Sequence, residues 1–226
     1  MSHSEAAPEP LRDRKSAGER LAERLLRYRG QEPVVLALPR GGVPVAFEIA
    51  ERLGSPLDVL IVRKVGAPSN PEYGLGAVVE GGSRFLDEPR VRAAGYTLRD
   101  LSSTIARELA EVERRAREYR GGTPPVETRD RTVILVDDGV ATGGTVLAAL
   151  RAVRTRGPRQ IVLALGVAPP DTVELLRPEV DDLVVLLAPR VFFAVGEWYH
   201  QFGQVSDEEV RRLLVRSRGA SKAPAR

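Results

Sequence analysis

The 226-residue chain predicts an α/β fold, a mainly parallel sheet flanked by helices, on three observations. First, a strand from Val34 to Leu38, a helix from Val45 to Leu53 and a strand from Leu57 to Val62 follow one another. That order suits a parallel unit with a right-handed crossover. Second, VILVDDGVATGGT, Val133 to Thr145, joins an apolar β-branched run to a Gly/Thr loop and then a helix-like segment, Val146 to Thr155. An uninterrupted apolar strand is the mark of burial on both faces, as in parallel sheets. Third, two more apolar runs follow, Ile161 to Ala168 and Leu183 to Ala188.

The remaining elements follow in order. Residues 1–10, rich in Ala, Pro, Ser and Glu, read as a disordered tail. Ala17, Leu21, Ala22 and Leu25 fall on one face of a helix running from Asp13 to Tyr28, which Gly30 ends before Pro33 opens the first strand. Gly54 and Pro56 separate the second helix from the second strand, and the proline-containing VGAPSNPEYG reads as a loop before a strand from Leu75 to Glu80. Thr97 and Asp100 form a capping box for a helix in which Leu98, Leu101, Ile105, Leu109 and Val112 keep a 3-4 spacing toward Tyr119. Gly121 and Gly122 stop it. Ser206 and Glu209 cap a last short helix carrying Val210, Leu213 and Leu214. The organisation is therefore one domain over 11–216, with 83–122 as a helical insertion or cap and 217–226 as a basic disordered tail.

Composition narrows the function. With 42% hydrophobic and 29% charged residues the chain is ordinary for a globular protein, and no apolar stretch is long enough to span a bilayer. MSHSEAAPEP lacks the hydrophobic region of a signal peptide, and with no cysteine there is neither a disulfide framework nor a thiolate metal site. The expectation is a cytoplasmic protein without a membrane partner. A net charge of +3 does not by itself point to nucleic acid. Two histidines, His3 and His200, exclude a histidine-cluster zinc site, and no Gly-x-Ser-x-Gly elbow supports an esterase.

The chemistry concentrates in Val133 to Thr145. Ligands of parallel sheets gather beyond the carboxyl ends of strands, where Asp137 and Asp138 fall. Gly139, Gly143 and Gly144 permit tight turning, and successive amides ahead of a helix form an anion cradle, with Thr142 and Thr145 hydroxyls as added donors. A phosphate held there leaves the two acids beside the hydroxyls of an attached sugar. No lysine follows Gly144, which excludes a Walker-type loop, and GLG at Gly74 to Gly76 lacks the rest of a dinucleotide fingerprint.

This stretch resembles the phosphoribosyl-pyrophosphate signature of type I phosphoribosyltransferases, a hydrophobic strand, two acids and a small-residue loop containing TG-x-T. The resemblance implies that Asp137 and Asp138 contact ribose hydroxyls while Ala141, Thr142, Gly143, Gly144 and Thr145 wrap the 5′-phosphate. LPRGGVPVA, Leu38 to Ala46, is similar to the family's pyrophosphate loop, placing Arg40, Gly41 and Gly42 there. IVRKVGAPSNPEYGLGA, Ile61 to Ala77, resembles its mobile closing loop, with Arg63 and Lys64 gripping pyrophosphate and Gly66, Gly74 and Gly76 as flexible ends. Lys64 joins the two aspartates as a catalytic candidate, and Glu72 stands open as either a lid contact or a surface acid. From Leu11 to Leu214, including EYRGGTPP and AVGEWYHQFGQVSDEEV, the chain is similar to a bacterial phosphoribosyltransferase-like subgroup with no established acceptor. His200 departs from that pattern, which carries an acid after Tyr199.

The implied reaction moves 5-phosphoribose from its pyrophosphate to a small nitrogenous acceptor. Mg2+ is the implied cofactor, held by Asp137 and Asp138 directly or through water. Homodimers are common in the family, though no segment here marks an interface. The same pocket also suits a non-catalytic regulator that binds phosphoribosyl pyrophosphate and acts on a protein or nucleic acid. Phe192, Phe193, Trp198, Tyr199 and Phe202 suit either packing or stacking on a flat base.

Overall fold

The structure, a computed structural model, describes residues 8–220. The tail expectations for 1–7 and 221–226 lie outside the described residues. The chain forms α1 (Arg14–Leu25), β1 (Val34–Ala37), α2 (Gly42–Leu53), β2 (Leu57–Val59), β3 (Val62–Ala67), β4 (Asn70–Val79), β5 (Ser83–Leu86), α3 (Glu88–Ala93) and α4 (Ser102–Arg120). It continues through β6 (Thr132–Gly139), α5 (Gly144–Thr155), β7 (Gln160–Val167), α6 (Pro170–Leu176), β8 (Asp182–Leu187) and α7 (Asp207–Ala220).

The central sheet has the order β2-β1-β6-β7-β8, every pairing parallel, with Leu36 opposite Leu135 and Val136 opposite Ala164. Alternation along these strands divides the core. Val35, Ala37, Ile134, Val136 and Ala164 pack with α1, α2 and α7, while Leu36, Val133, Leu135, Leu163 and Leu165 pack against α5, Leu176 of α6 and Ala77 of β4. Burial on both faces is why β1 and β6 read as unbroken apolar runs. α1 starts at a reciprocal capping box in which the Ser16 amide donates to Asp13 Oδ1 (2.6 Å) and the Asp13 amide to Ser16 Oγ (3.1 Å).

Several boundaries differ from expectation. The apolar run Leu57 to Val62 is two strands: the Leu60 amide donates to Ala37 O in the parallel sheet, but Ile61 O accepts from the Glu80 amide of the second sheet. Leu60 and Ile61 are both buried, so hydropathy cannot reveal the change of partner. VGAPSNPEYG is no long loop. It forms most of an antiparallel hairpin, with Ala67 opposite Asn70 and a bulge around Gly66, in a three-stranded sheet β3-β4-β5. Glycine permits this close pairing, because a Cβ on Gly66 would stand 2.2 Å from Pro71 O and one on Gly76 2.3 Å from Phe85 O. α2 begins at Gly42, ahead of Val45, and the Thr97–Asp100 box forms but closes a turn before α4 starts at Ser102. The tail expected from residue 217 is, as far as Ala220, the end of α7, and Arg218 donates to Arg120 O.

One buried ionic cluster joins the two sheets. Arg120, at the end of α4, donates to both Asp58 oxygens (2.9 and 3.0 Å), to Glu80 and to Val59 O (2.7 Å), and all three ionic side chains are buried. Asp58 also accepts the Val59 and Val126 amides. Charge and hydrogen-bond capacity are satisfied together, the condition for a buried ion pair to persist.

Candidate functional site

β2 lies on one side of β1 and β6 on the other, so the connections leaving β1 and β6 diverge and open a crevice at their carboxyl ends. The loop after β1 packs directly on the acid-bearing strand. The Leu38 amide donates to Val136 O (2.9 Å). A Cβ on Gly41 would stand 2.1 Å from Asp138 Oδ2, and one on Gly42 2.7 Å from Val136 O. These glycines are therefore required for close approach. Gly42 corrects the expectation of an anion-binding amide, because its N–H donates to Leu38 O (3.1 Å) as α2 begins.

Asp137 and Asp138 end β6 side by side, the Asp138 amide donating to Asp137 Oδ1 (2.9 Å). Burial, and then the charge of Asp138, push the Asp137 carboxyl well above the usual carboxylate range. Asp138 has a cation the sequence did not suggest: Arg14 Nε donates to its Oδ2 at 2.7 Å, 124 positions away in the chain. Arg14 also donates to Gly203 O (2.7 Å) and lies 3.8 Å from the Phe202 ring centroid. Tyr199 donates its hydroxyl to the Asp138 carbonyl (2.6 Å), and burial beside Asp138 raises this phenol, which keeps it a donor. Gly166 makes room for that bond, since a Cβ there would meet the Tyr199 hydroxyl at 2.1 Å.

The phosphate-loop candidates follow immediately. The Val140 amide donates to Val167 O, and Thr172 Oγ1 donates to Ala141 O at 2.6 Å. Gly143 adopts φ +78° with its back against Thr172, Leu175 and Leu176. α6, an element absent from the sequence expectations, is thus the shelf under the loop. α5 then starts at Gly144 with no side-chain cap, while Ala141, Thr142, Gly144 and Thr145 are exposed or lie at the surface of the loop. The first amides of a helix lack intrahelical acceptors, so this uncapped end is a ready anion cradle.

The cationic candidates separate. Lys64 shares a cleft of about 700 Å³ with Thr142, Gly144 and Thr145, and Arg90, Arg92 and Arg151 line it too. Its Nζ contacts Glu72 (3.1 Å to Oε2), which resolves Glu72 as the lysine's partner, and its stem lies across Gly74. Arg63 faces the other side of β3, bound to Glu108 of α4 at 2.5 Å. This corrects its assignment to pyrophosphate, because adjacent strand residues point to opposite faces. Arg40 is exposed, 3.7 Å from Asp207 at the start of α7. Of the aromatic segment, Tyr199 is buried, Phe192 and Trp198 are partly buried against the core, and Phe193 is 81% exposed. His200 is exposed, its amide donating to Leu11 O.

Asp137 and Asp138 are oxygen donors suited to a hard cation, and among the described residues no group of three or more His, Asp or Glu could cage an ion. Two carboxylates, one already facing a guanidinium, fit an ion that keeps its waters and borrows phosphate oxygens from a ligand, as magnesium does. They do not fit a resident all-protein site.

Residues 10–194 match the family model of the phosphoribosyl transferase domain. The chain is 43% identical over 205 residues to Rv0571c of Mycobacterium tuberculosis strain H37Rv, a protein whose name assigns it provisionally to the phosphoribosyl transferases. That match takes in 91% of this chain and 46% of the relative, so the chain spans about half the relative's length. The bifunctional protein PyrR of Chloroflexus aurantiacus is 31% identical over 142 residues, 60% of this chain and 72% of that protein. Among solved structures, TT1426 from Thermus thermophilus superposes with a TM-score of 0.80 at 47% identity, covering 92% of this chain and 98% of that one. No helix among the described residues is long and apolar enough to cross a membrane.

Proposed function

Because the chain belongs to the phosphoribosyl transferase domain family, we propose that it transfers 5-phosphoribose from phosphoribosyl pyrophosphate to a small nitrogenous acceptor, releasing pyrophosphate. The observation that carries this reading is the adjacency, at one crevice of the parallel sheet, of an uncapped helix start and two carboxylates. The first suits a terminal phosphate and the second the hydroxyls of its sugar.

In this reading the amides and hydroxyls of Thr142 to Thr145 hold the 5′-phosphate. Asp137 and Asp138 accept from the ribose hydroxyls and favour the positive charge that builds on the ring as the C–O bond to pyrophosphate breaks. Lys64 and Arg40 neutralise the leaving group. Each must exchange an acidic surface partner, Glu72 or Asp207, for phosphate oxygens. Exposed ion pairs contribute only about 0–1 kcal/mol, and pyrophosphate brings several negative charges where each acidic partner brings one. The exchange therefore favours the ligand. Magnesium bound with the substrate, near Asp137 and Asp138, would supply further neutralisation of the pyrophosphate. Much of the acceleration would come from positioning and fixed charge, and no general base is assigned.

The test is acceptor-dependent pyrophosphate release with magnesium, screened over purines, pyrimidines and small amines. Release with one acceptor, abolished in Asp137→Asn/Asp138→Asn, is the expected result. Tight binding of phosphoribosyl pyrophosphate with no turnover for any acceptor, and a salt-sensitive shift on RNA or DNA, would replace the transferase by the regulator.

A further inference from the structure

Arg14 is held from several directions at once. Its Nε meets Asp138 Oδ2 at 2.7 Å, one terminal nitrogen donates to Gly203 O at 2.7 Å, and the guanidinium carbon lies 3.8 Å from the Phe202 ring centroid. Phe202 in turn stacks on Tyr199 at 5.1 Å between centroids. Arg14 opens α1 immediately after the Asp13 cap, so its backbone is fixed by the capping box. The chain before it is stitched to the same segment: the Leu11 amide donates to Trp198 O, the His200 amide to Leu11 O and the Gln201 amide to Arg12 O, at 2.8 to 2.9 Å. The Arg14 and Asp138 side chains are only 12% and 11% exposed.

This arrangement differs from a plain structural ion pair in what it leaves open. Among the described residues, Asp137 Oδ1 takes the Asp138 amide and Asp138 Oδ2 takes Arg14, and the two carboxyl groups lie within hydrogen-bonding reach of each other, while no other protein donor meets Asp137 Oδ2 or Asp138 Oδ1. Neither oxygen is sealed from solvent without a partner, a state found only at Ser55 Oγ and Trp198 Nε1 among the described residues. The guanidinium therefore fixes Asp138 by one oxygen and leaves its Oδ1 without a protein donor, while Asp137 is held beside it by the Asp138 amide.

We propose that Arg14 is a positioning residue for the sugar side of the site: by holding one oxygen of Asp138, it aims that carboxylate's other oxygen at a ribose hydroxyl, beside Asp137. The inference rests on the proposed sugar-phosphate site. It adds that ribose recognition requires α1 to be docked on the segment from Trp198 to Gly203. A fixed acceptor binds a hydroxyl better than a rotating one, because less conformational freedom is lost on binding. Gly41, whose missing Cβ leaves room beside Asp138 Oδ2, closes the other flank.

The experiment compares ribose 5-phosphate with inorganic phosphate, each titrated calorimetrically into the full chain and its Arg14→Gln and Arg14→Lys variants. In the parent chain the sugar phosphate binds more tightly than phosphate. Arg14→Gln loses about tenfold in affinity for ribose 5-phosphate, the scale of one hydrogen bond, and stays within about twofold for phosphate. Arg14→Lys, which keeps the charge without the planar fork, recovers part of the loss. A general structural role would lower both affinities together, and that result, or an unchanged sugar-phosphate affinity, overturns the proposal. Should Arg14→Gln not fold, Phe202→Leu keeps the ion pair but removes the ring above it. Its expected result is a smaller loss, again confined to the sugar phosphate. Equal affinity for both ligands in the parent chain would instead overturn the sugar-phosphate reading on which the inference stands.

Discussion

Arg120 and Arg14 each bind an aspartate across a long sequence distance, and the contrast between them separates support from recognition. Around Arg120, two carboxylates and a carbonyl absorb the guanidinium's donors, and backbone amides occupy the remaining Asp58 acceptors. Around Arg14, only one of two neighbouring carboxylates holds the cation, and acceptor capacity is left over. A sealed network stabilises the joint between two sheets. An incomplete one costs stability and is useful only when a ligand completes it.

The largest expected effect tests the sealed cluster. Arg120→Ala leaves Asp58 and Glu80 buried without a cation and should lower folding stability by about 3–5 kcal/mol in denaturant unfolding. A loss below about 1 kcal/mol would erase the contrast. A smaller effect probes the incomplete cluster through pH. Asp137 has a raised pKa in the folded chain, so the folded state binds more protons than the unfolded one between the ordinary carboxylate value and the raised value. Stability should therefore fall as pH rises through that window. Asp137→Asn should remove this fall, being more stable than the parent at neutral pH, with the advantage shrinking as pH drops through that window and gone below about 4. A parent chain whose urea midpoint rises across the same interval would contradict the assignment.

Next in size is Lys64→Ala. Pyrophosphate affinity should drop about tenfold by calorimetry while ribose 5-phosphate is nearly retained, because the lysine borders the phosphate loop without binding the acids. Equal losses for both ligands would place Lys64 elsewhere. Arg63→Ala should be the mildest change. Its partner is Glu108, so pyrophosphate affinity should be unchanged and stability should fall by at most about 1 kcal/mol. A pyrophosphate loss comparable with that of Lys64→Ala would restore the sequence-based pairing of these two residues.

The sequence made the central sheet legible where neighbouring residues share one task. Val133 to Thr145 is strand, acid pair, loop and helix start within one short segment, so its chemistry is visible without knowing any partner. Lys64 lines one cleft with Thr142, Gly144 and Thr145, and Arg40 lies in the loop that leaves β1. Arg63 departs from expectation, because an Arg-Lys pair on a strand looks like one cationic patch until the strand's two faces are known. Gly66 and Gly76 look alike in sequence whether they serve as hinges or as points of close strand approach. Only the hairpin distinguishes the two.

From its amino-acid order alone the chain determined a parallel sheet with helices around it and a Gly/Thr loop opening a helix beside paired acids, since those features rest on hydropathy period and local backbone chemistry. Tertiary structure alone decided which cation meets which acid. Arg14 reaches Asp138 across 124 positions, and Arg120 reaches Asp58 and Glu80 across 62 and 40. The physical reason is that periodicity encodes which face is buried, whereas the partner of a charged side chain depends on how separate elements dock, and no local pattern carries that.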